Sequence, residues 1–316
     1  MSTQRAPDCL FGDTSTTKTS RLGDAAEYYF EKTGLPSRLV CTDNAGWGPL
    51  ESLVDRGIIQ PYKVTSERKF LIQDLSRLSQ GGWPKDPEDP LSEIVRCDLS
   101  KIAAYLYDGI TTTCQLMMEV HQSSITVTGG VMSATHVKVP EMPKDSYVES
   151  GDYSRRFVGR SDYMGVQDRI AEFIRNTSML PIPAIWTALE SKGEDDQKKP
   201  IYGPQFIGRA LTGVCGPWFG NLIHLDFINK LVDVADPDNP AVKFQIEQPT
   251  PYMFLKPHFD PKDPLKIKYP AKVRAPRTLH EKVPAFCKPR LDLLYKFLDS
   301  LREEERAAAK DAPNAR

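Results

Sequence analysis

Short apolar runs alternate along the chain with stretches whose apolar residues recur every three or four positions. Cys9-Leu10-Phe11 is the first run. Leu22, Ala25, Ala26 and Tyr29 then share one face between Arg21 and Lys32, which predicts a helix that Gly34-Leu35-Pro36 ends. Residues 38–43 read as a buried strand, 44–48 as a turn, 49–56 as a short helix and 58–64 as another strand. Helical spacing returns over 67–78, and 80–90 is a loop by its Gly and Pro content. The apolar run 102–107 ends in Asp108 and is followed by a helix over 113–121. Residues 122–160 are polar and read as an insertion or mobile loop, with a short hairpin around 124–139. A helix over 163–178 and a strand over 181–188, ending near Thr187 and Glu190, come next. The charged stretch 191–200 reads as mobile, 203–211 as the approach to a helix, and 222–227 as a strand. A last helix over 288–309 places Leu291, Leu294, Phe297, Leu298 and Leu301 together. This alternation predicts an α/β fold with a mostly parallel central sheet and helices on both faces. The composition shift near 235 divides the chain into a core over 1–235 and a Pro-rich basic extension with a terminal helix over 236–316.

The chemistry-bearing feature lies between the first strand and the first helix. Gly12-Asp13-Thr14-Ser15-Thr16-Thr17-Lys18-Thr19-Ser20 fits the phosphate-binding pattern G-x-x-x-x-G-K-[ST] at Gly12, Lys18 and Thr19. Thr17 stands where the second glycine belongs. Successive backbone N–H groups in such a loop wrap phosphates, the lysine neutralises charge, and the following hydroxyl holds Mg²⁺. The helix behind points its positive end at the same anion. A Thr/Ser-rich turn capping a helix uses the same letters, so the order strand, loop, helix is what raises the functional reading. A strand ending in Asp108 supplies the second magnesium element of such sites, and Asp108-Gly109 is equally a common turn pair.

Charge is balanced, at 41 basic against 42 acidic residues, which excludes a uniformly basic coat and leaves room for a local patch. The patch is residues 251–290, with ten Lys/Arg against three Asp/Glu. Tyr252, Phe254, Phe259 and Tyr269 lie among these charges, a mixture that suits a single nucleic-acid strand and equally a strap lying on the core. Six scattered cysteines and five histidines without paired spacing read as reduced, mostly buried thiols and predict no zinc motif. No run reaches membrane-spanning length and the N-terminus lacks a signal-peptide pattern, so the chain is expected to be cytoplasmic, in the bacterial host if it is phage-encoded.

Taken in order, the loop at 12–20, the strand Leu39–Asp43 with Asn44-Ala45-Gly46-Trp47, the strand ending at Asp108, and Trp186–Glu190 with Gly203-Pro204…Gly208 resemble the RecA-like P-loop ATPases. The likeness runs from Pro7 to about Phe227 and is nearest to compact bacteriophage-encoded recombinase-type proteins. The resemblance implies ATP and Mg²⁺ as ligands. Gly12 to Ser20 would cradle the phosphates, with Lys18 on the β- and γ-phosphates. Thr19 and Asp108 would hold the metal. Asp43 would orient the attacking water, in place of the family's usual Glu. Thr187 or Glu190 would sense the γ-phosphate. Arg209 and Arg274 are candidates for a cation lent by a neighbour in a ring or filament of identical subunits. The implied activity is slow ATP hydrolysis in phage DNA recombination, annealing or replication on single-stranded DNA. A nucleotide-binding loader that does not hydrolyse, and a small-molecule P-loop kinase, are the competing expectations.

Overall fold

The computed structural model describes residues 6–43, 46–123, 127–128, 131–132, 147–150, 153–156, 160–194, 200–207, 210–235, 243–259 and 268–311. Its centre is a nine-stranded sheet. The strands of this sheet are numbered here in chain order: β1 (Asp8–Gly12), β2 (Ser37–Cys41), β3 (Ile59–Lys63), β4 (Tyr105–Asp108), β5 (Ala184–Glu194), β6 (Pro200–Pro204), β7 (Leu222–Ala235), β8 (Lys243–Phe254) and β9 (Phe286–Cys287). Across the sheet they run β9-β8-β7-β1-β5-β4-β2-β3, with β6 paired to β5. The six strands from β7 to β3 are mutually parallel, and β8, β9 and β6 join antiparallel. The result is an α/β fold with a mixed, mostly parallel sheet.

The first strand sits in the middle. All five residues of β1 are buried, because it has strands on both edges and helices on both faces. On one face pack α1 (Lys18–Thr33), α2 (Glu51–Asp55) and α6 (Leu291–Asp311), around Leu22, Tyr29, Leu53, Leu294 and Leu298. On the other pack α3 (Leu71–Ser79), α4 (Ile110–Ser123) and α5 (Arg160–Ser178), around Leu75, Met117, Ile170 and Phe173. The apolar stripe expected on α1 is the face it buries. The stripe on α6 lies against α1, where Tyr28 and Tyr29 meet the Tyr295 ring. Tyr295 also donates from its hydroxyl to Asp8 Oδ2 at 2.8 Å, tying the last helix to the first strand.

Several elements differ from their sequence pattern. The helix expected after Gly203 is absent among the described residues. Residues 200–204 instead form β6, and 216–218 a single 3₁₀ turn. Gly203 sits at φ 151°, a backbone that glycine adopts readily and other residues rarely do, and Pro204 behind it has no N–H to continue a helix. β5 runs to Glu194, past its expected end near Thr187 and Glu190, because β6 supplies an antiparallel partner for residues 190–194. β7 likewise continues to Ala235 against β8, which places a strand where the basic extension was expected to begin. In the loop 80–90, Gly82–Pro84 pairs with Ile94–Arg96. Inside the expected insertion, Val127–Thr128 pairs with Val131–Met132 and Tyr147–Ser150 with Tyr153–Arg156. The remainder of 124–159, the residues 195–199, and Gly208 and Arg209 lie outside the described residues.

Candidate functional site

The carboxyl ends of β1, β2, β4 and β5 meet at one edge of the sheet, where chain direction divides to either side of β1. Ligands of open α/β sheets bind at such an edge. The loop from Asp13 to Thr17 leaves β1 here and turns into α1. Gly12 is required by close approach: a Cβ on it would stand 2.3 Å from the Leu225 carbonyl oxygen of β7 and 2.8 Å from Thr16 Oγ1. Ser15 and Thr17 both adopt left-handed backbone, at φ 67° and 61°. Thr17 therefore has the geometry that a glycine would adopt freely at this place in the pattern. Its side chain is exposed and makes no capping hydrogen bond, and α1 carries no acidic residue in its first turn. The positive end of the helix is left uncovered by any acidic side chain of its own first turn.

Lys18 folds back over this loop. Its Nζ donates to Asp13 O at 2.6 Å, Gly12 O at 3.0 Å and Thr16 Oγ1 at 3.3 Å, and Thr16 Oγ1 itself donates to Asp13 O at 2.7 Å. Burial lowers the ammonium's pKa below its ordinary value, opposed by the carboxylates of Asp108, Asp13, Glu190 and Asp43. The charged form of Lys18 is thus favoured by carboxylates from β5, from the turn after β2, from β4 and from its own loop.

Asp108 is the fixed point of the site. Oδ2 accepts from Thr19 Oγ1 at 2.9 Å, and Oδ1 from Thr187 Oγ1 at 2.6 Å. Thr187 in turn accepts from Gly109 N at 2.9 Å. Because β5 lies between β1 and β4, Thr187 stands between the loop and Asp108. Burial raises the Asp108 carboxyl pKa; the Thr187 and Thr19 hydrogen bonds lower it, Asp43 raises it and Lys18 lowers it. The turn after β4 is pinned by threonines. Thr42 Oγ1 approaches Thr112 Oγ1 at 2.7 Å and donates within reach of the Asp108 and Gly109 carbonyls at 3.1 and 3.0 Å. Thr111 bridges Gln205 O and Leu189 N at 2.8 and 3.1 Å.

Asp43 follows the end of β2, one strand from Asp108, and its charge is felt by both Asp108 and Lys18. Glu190 lies on β5 with its side chain only 2% exposed. Its Oε2 is 3.1 Å from His224 Nε2, and its Oε1 is 3.6 Å from Lys192 Nζ with no hydrogen-bond donor in reach among the described residues. Lys192 also reaches Asp13 at 3.5 Å. These two carboxylates hold its ammonium pKa above the ordinary value against the lowering effect of burial.

The structure thus brings Gly12, Asp13, Thr16, Lys18, Thr19, Asp108 and Thr187 together, with Asp43 and Glu190 at the margin. Thr14, Ser15 and Thr17 line the exposed rim, and Ser20 lies in the first turn of α1. Arg274 is exposed, and its backbone N donates to Asn221 Oδ1. Tyr252 and Tyr269 of the basic segment are buried, so their faces are spent on the core and not offered for stacking. Sequence reasoning missed Thr42, Thr112, Lys192 and His224. The run Gly109-Ile110-Thr111-Thr112-Thr113 was a usable signal for the threonine array; a lone histidine in an apolar strand was not. All six cysteines are free. Burial pushes Cys41, Cys114 and Cys215 up to about 12, which leaves those thiols inert. Among the described residues no helix is long and apolar enough to cross a membrane.

No protein-family model matches the chain, and no curated protein matches it at a significant level.

Proposed function

We propose that the protein binds a nucleoside triphosphate with magnesium at the loop Gly12–Thr19 and hydrolyses it, as a P-loop ATPase of RecA-like type. The observation that carries this reading is the joint placement of Lys18 across the loop and of Thr19 against Asp108, two residues 89 positions apart. The donor set fits a magnesium ion: a hydroxyl and a carboxylate, hard oxygen ligands on one side of the loop. Thr19 and Asp108 would hold the ion, which supplies charge neutralisation between the phosphates. Lys18 would exchange its carbonyl partners for phosphate oxygens without crossing the site. The loop amides and the open end of α1 bind the remaining charge. Thr187, oriented by Asp108 and Gly109, reads the outer phosphate. Asp43 is assigned the attacking water, since Glu190 is engaged by His224.

The test is titration with ATP and Mg²⁺, followed by Trp47 fluorescence or by calorimetry, on the wild type and Lys18→Ala. The variant should lose at least about 100-fold in affinity, on the scale of a charge-assisted contact to phosphate. Equal affinity in the two proteins refutes the site. Phosphate release with and without single-stranded DNA tests turnover and the DNA partner that the resemblance implies. A second reading, binding without turnover, is favoured by the shortness of Asp43 compared with glutamate. Tight ATP binding with no phosphate release would establish it.

A further inference from the structure

On the flank of the loop, away from Thr19 and Asp108, His224 and His258 face each other. His224 lies on β7 and is fully buried, and His258 is partly buried in the short ribbon that pairs His258–Phe259 with Lys268–Tyr269. His224 Nδ1 and His258 Nε2 are 3.0 Å apart. The Asp226 carboxylate joins them, and one ligand atom from each of the three residues lies within 4.8 Å of the others. One Asp226 oxygen accepts from Phe227 N at 2.8 Å, which leaves the other for a further partner.

We propose that His224, His258 and Asp226 bind a divalent transition-metal ion of the zinc class, separate from the magnesium of the nucleotide loop. Three features point there. The donors are two imidazoles and a carboxylate, the set that zinc takes when one position stays open. An ion at about 2.0–2.1 Å from each donor in tetrahedral geometry holds its ligands about 3.3 Å apart. The two imidazole nitrogens already stand near that spacing. The second shell is also in place. With its Nε2–H donated to Glu190 Oε2 at 3.1 Å, His224 presents the Nδ1 lone pair to the ion, the carboxylate–histidine–metal arrangement that fixes a ligand's tautomer.

The rings are held in a stack that limits their rotation. His224 lies over Phe11 and Tyr269 with centroids 4.7 and 4.4 Å away, and His258 over Phe254 at 3.8 Å. The site also touches the nucleotide loop through a chain of contacts. Glu190 bonds His224, Lys192 lies beside Glu190, and Lys192 reaches Asp13. Ion binding would fix Glu190 through its histidine. In the absence of an ion, the same pair is a hydrogen bond donated by His258 to His224.

The test is calorimetric titration of zinc into the full chain after dialysis against a chelator, without nucleotide, with cobalt(II) absorption as a second readout. One ion per chain should bind, and cobalt should give the intense visible bands of a four-coordinate site. His258→Ala should weaken binding at least about 100-fold, at or beyond the top of the range for loss of an outer-shell partner, and Asp226→Asn, which keeps one oxygen donor, about tenfold. Lys18→Ala should bind the ion as the wild type does, so failure of the nucleotide reading and failure of this one are distinguishable. No stoichiometric binding, a cobalt spectrum of the hydrated ion, or wild-type affinity in His258→Ala overturns the proposal and leaves the hydrogen bond. If His258→Ala is unfolded by circular dichroism, Asp226→Asn decides the matter: unchanged affinity in that variant refutes the site.

Discussion

Thr17→Gly isolates the backbone of the candidate loop from everything else in it. Thr17 sits at φ 61° and ψ 23°, its side chain is exposed, and its hydroxyl caps nothing. Removing that side chain forfeits no contact that holds the loop. What changes is the conformational term. An L-residue in the left-handed region costs about 1–2 kcal/mol, and a β-branched one is an outlier there. Glycine removes that strain and adds back about 0.5–1 kcal/mol through the greater freedom of the unfolded chain. The net expectation is a stabilisation of about 0.5–1 kcal/mol, or about 1–1.5 °C in a chain of this size at about 2.1 cal/mol/K of unfolding entropy per residue. Thr17→Ala is the control: it keeps the Cβ, hence the larger part of the strain, and should melt within about 0.5 °C of the wild type. Thermal unfolding of the three proteins in chelator, without nucleotide, makes the comparison. Nucleotide affinity in Thr17→Gly should equal or exceed that of the wild type, because the loop already has the curvature that a glycine permits. A Thr17→Gly protein less stable than Thr17→Ala would show that the left-handed turn is absent, and the account of the loop would go with it.

Two further substitutions probe the elements on either side. Burial raises the Asp108 carboxyl, so the folded protein holds that proton more firmly than the unfolded chain. The resulting stabilisation is complete below the ordinary carboxylate value, near pH 4, and is lost as pH rises through the folded value. Asp108→Asn removes the charge, keeps one threonine hydrogen bond as it stands and the other only with the amide donating to the hydroxyl; it should melt above the wild type at pH 7 in chelator, with the difference closing towards pH 4, and the proposed magnesium-dependent nucleotide binding should be lost. A constant or inverted difference in melting temperature contradicts the burial argument. Gly12→Ala places a methyl 2.3 Å from a backbone oxygen of β7, which must separate β1 from β7. A loss of about 3 kcal/mol is expected in denaturant unfolding, the upper end for overpacking because the obstruction is backbone; wild-type stability would mean the two strands are not so close.

Most of the parallel core was legible because its strands are uninterrupted apolar runs. Leu10, Leu39, Leu106 and Ile185 could be placed in one sheet from their neighbours alone, since strands covered on both faces tolerate no polar alternation. The loop was legible from Gly12, Lys18 and Thr19, and its link to Asp108 from a strand that ends in a carboxylate. Strand pairing across long gaps was not. β8 is polar at Gln245, Glu247 and Gln248, and these residues are exposed, so nothing in their composition signalled a strand. Their order comes from β7 alongside. The same holds for Glu190, which looked like a strand-end sensor. Its actual engagement with His224 depends on the register of β1 between β5 and β7, a relation that no local pattern carries. Tyr252 and Tyr269 misled for a related reason: an aromatic among lysines reads as a surface feature until its partner ring is known.

The seating of β1 between β5 and β7, and of α6 on α1, sets the order in which a growing chain can complete itself. β1 is flanked by two strands that arrive more than 170 and 210 residues later, counted from Asp8 to Ala184 and Leu222. The greasy side of α1 waits longer still, until residue 291 and beyond has been made. Such distant pairings close slowly, and unpaired edges and bare apolar faces attract one another between molecules. Translation therefore exposes an aggregation-prone intermediate, and shortening the chain ahead of Leu291 should yield insoluble material even though the entire loop from Gly12 to Thr19 has been made.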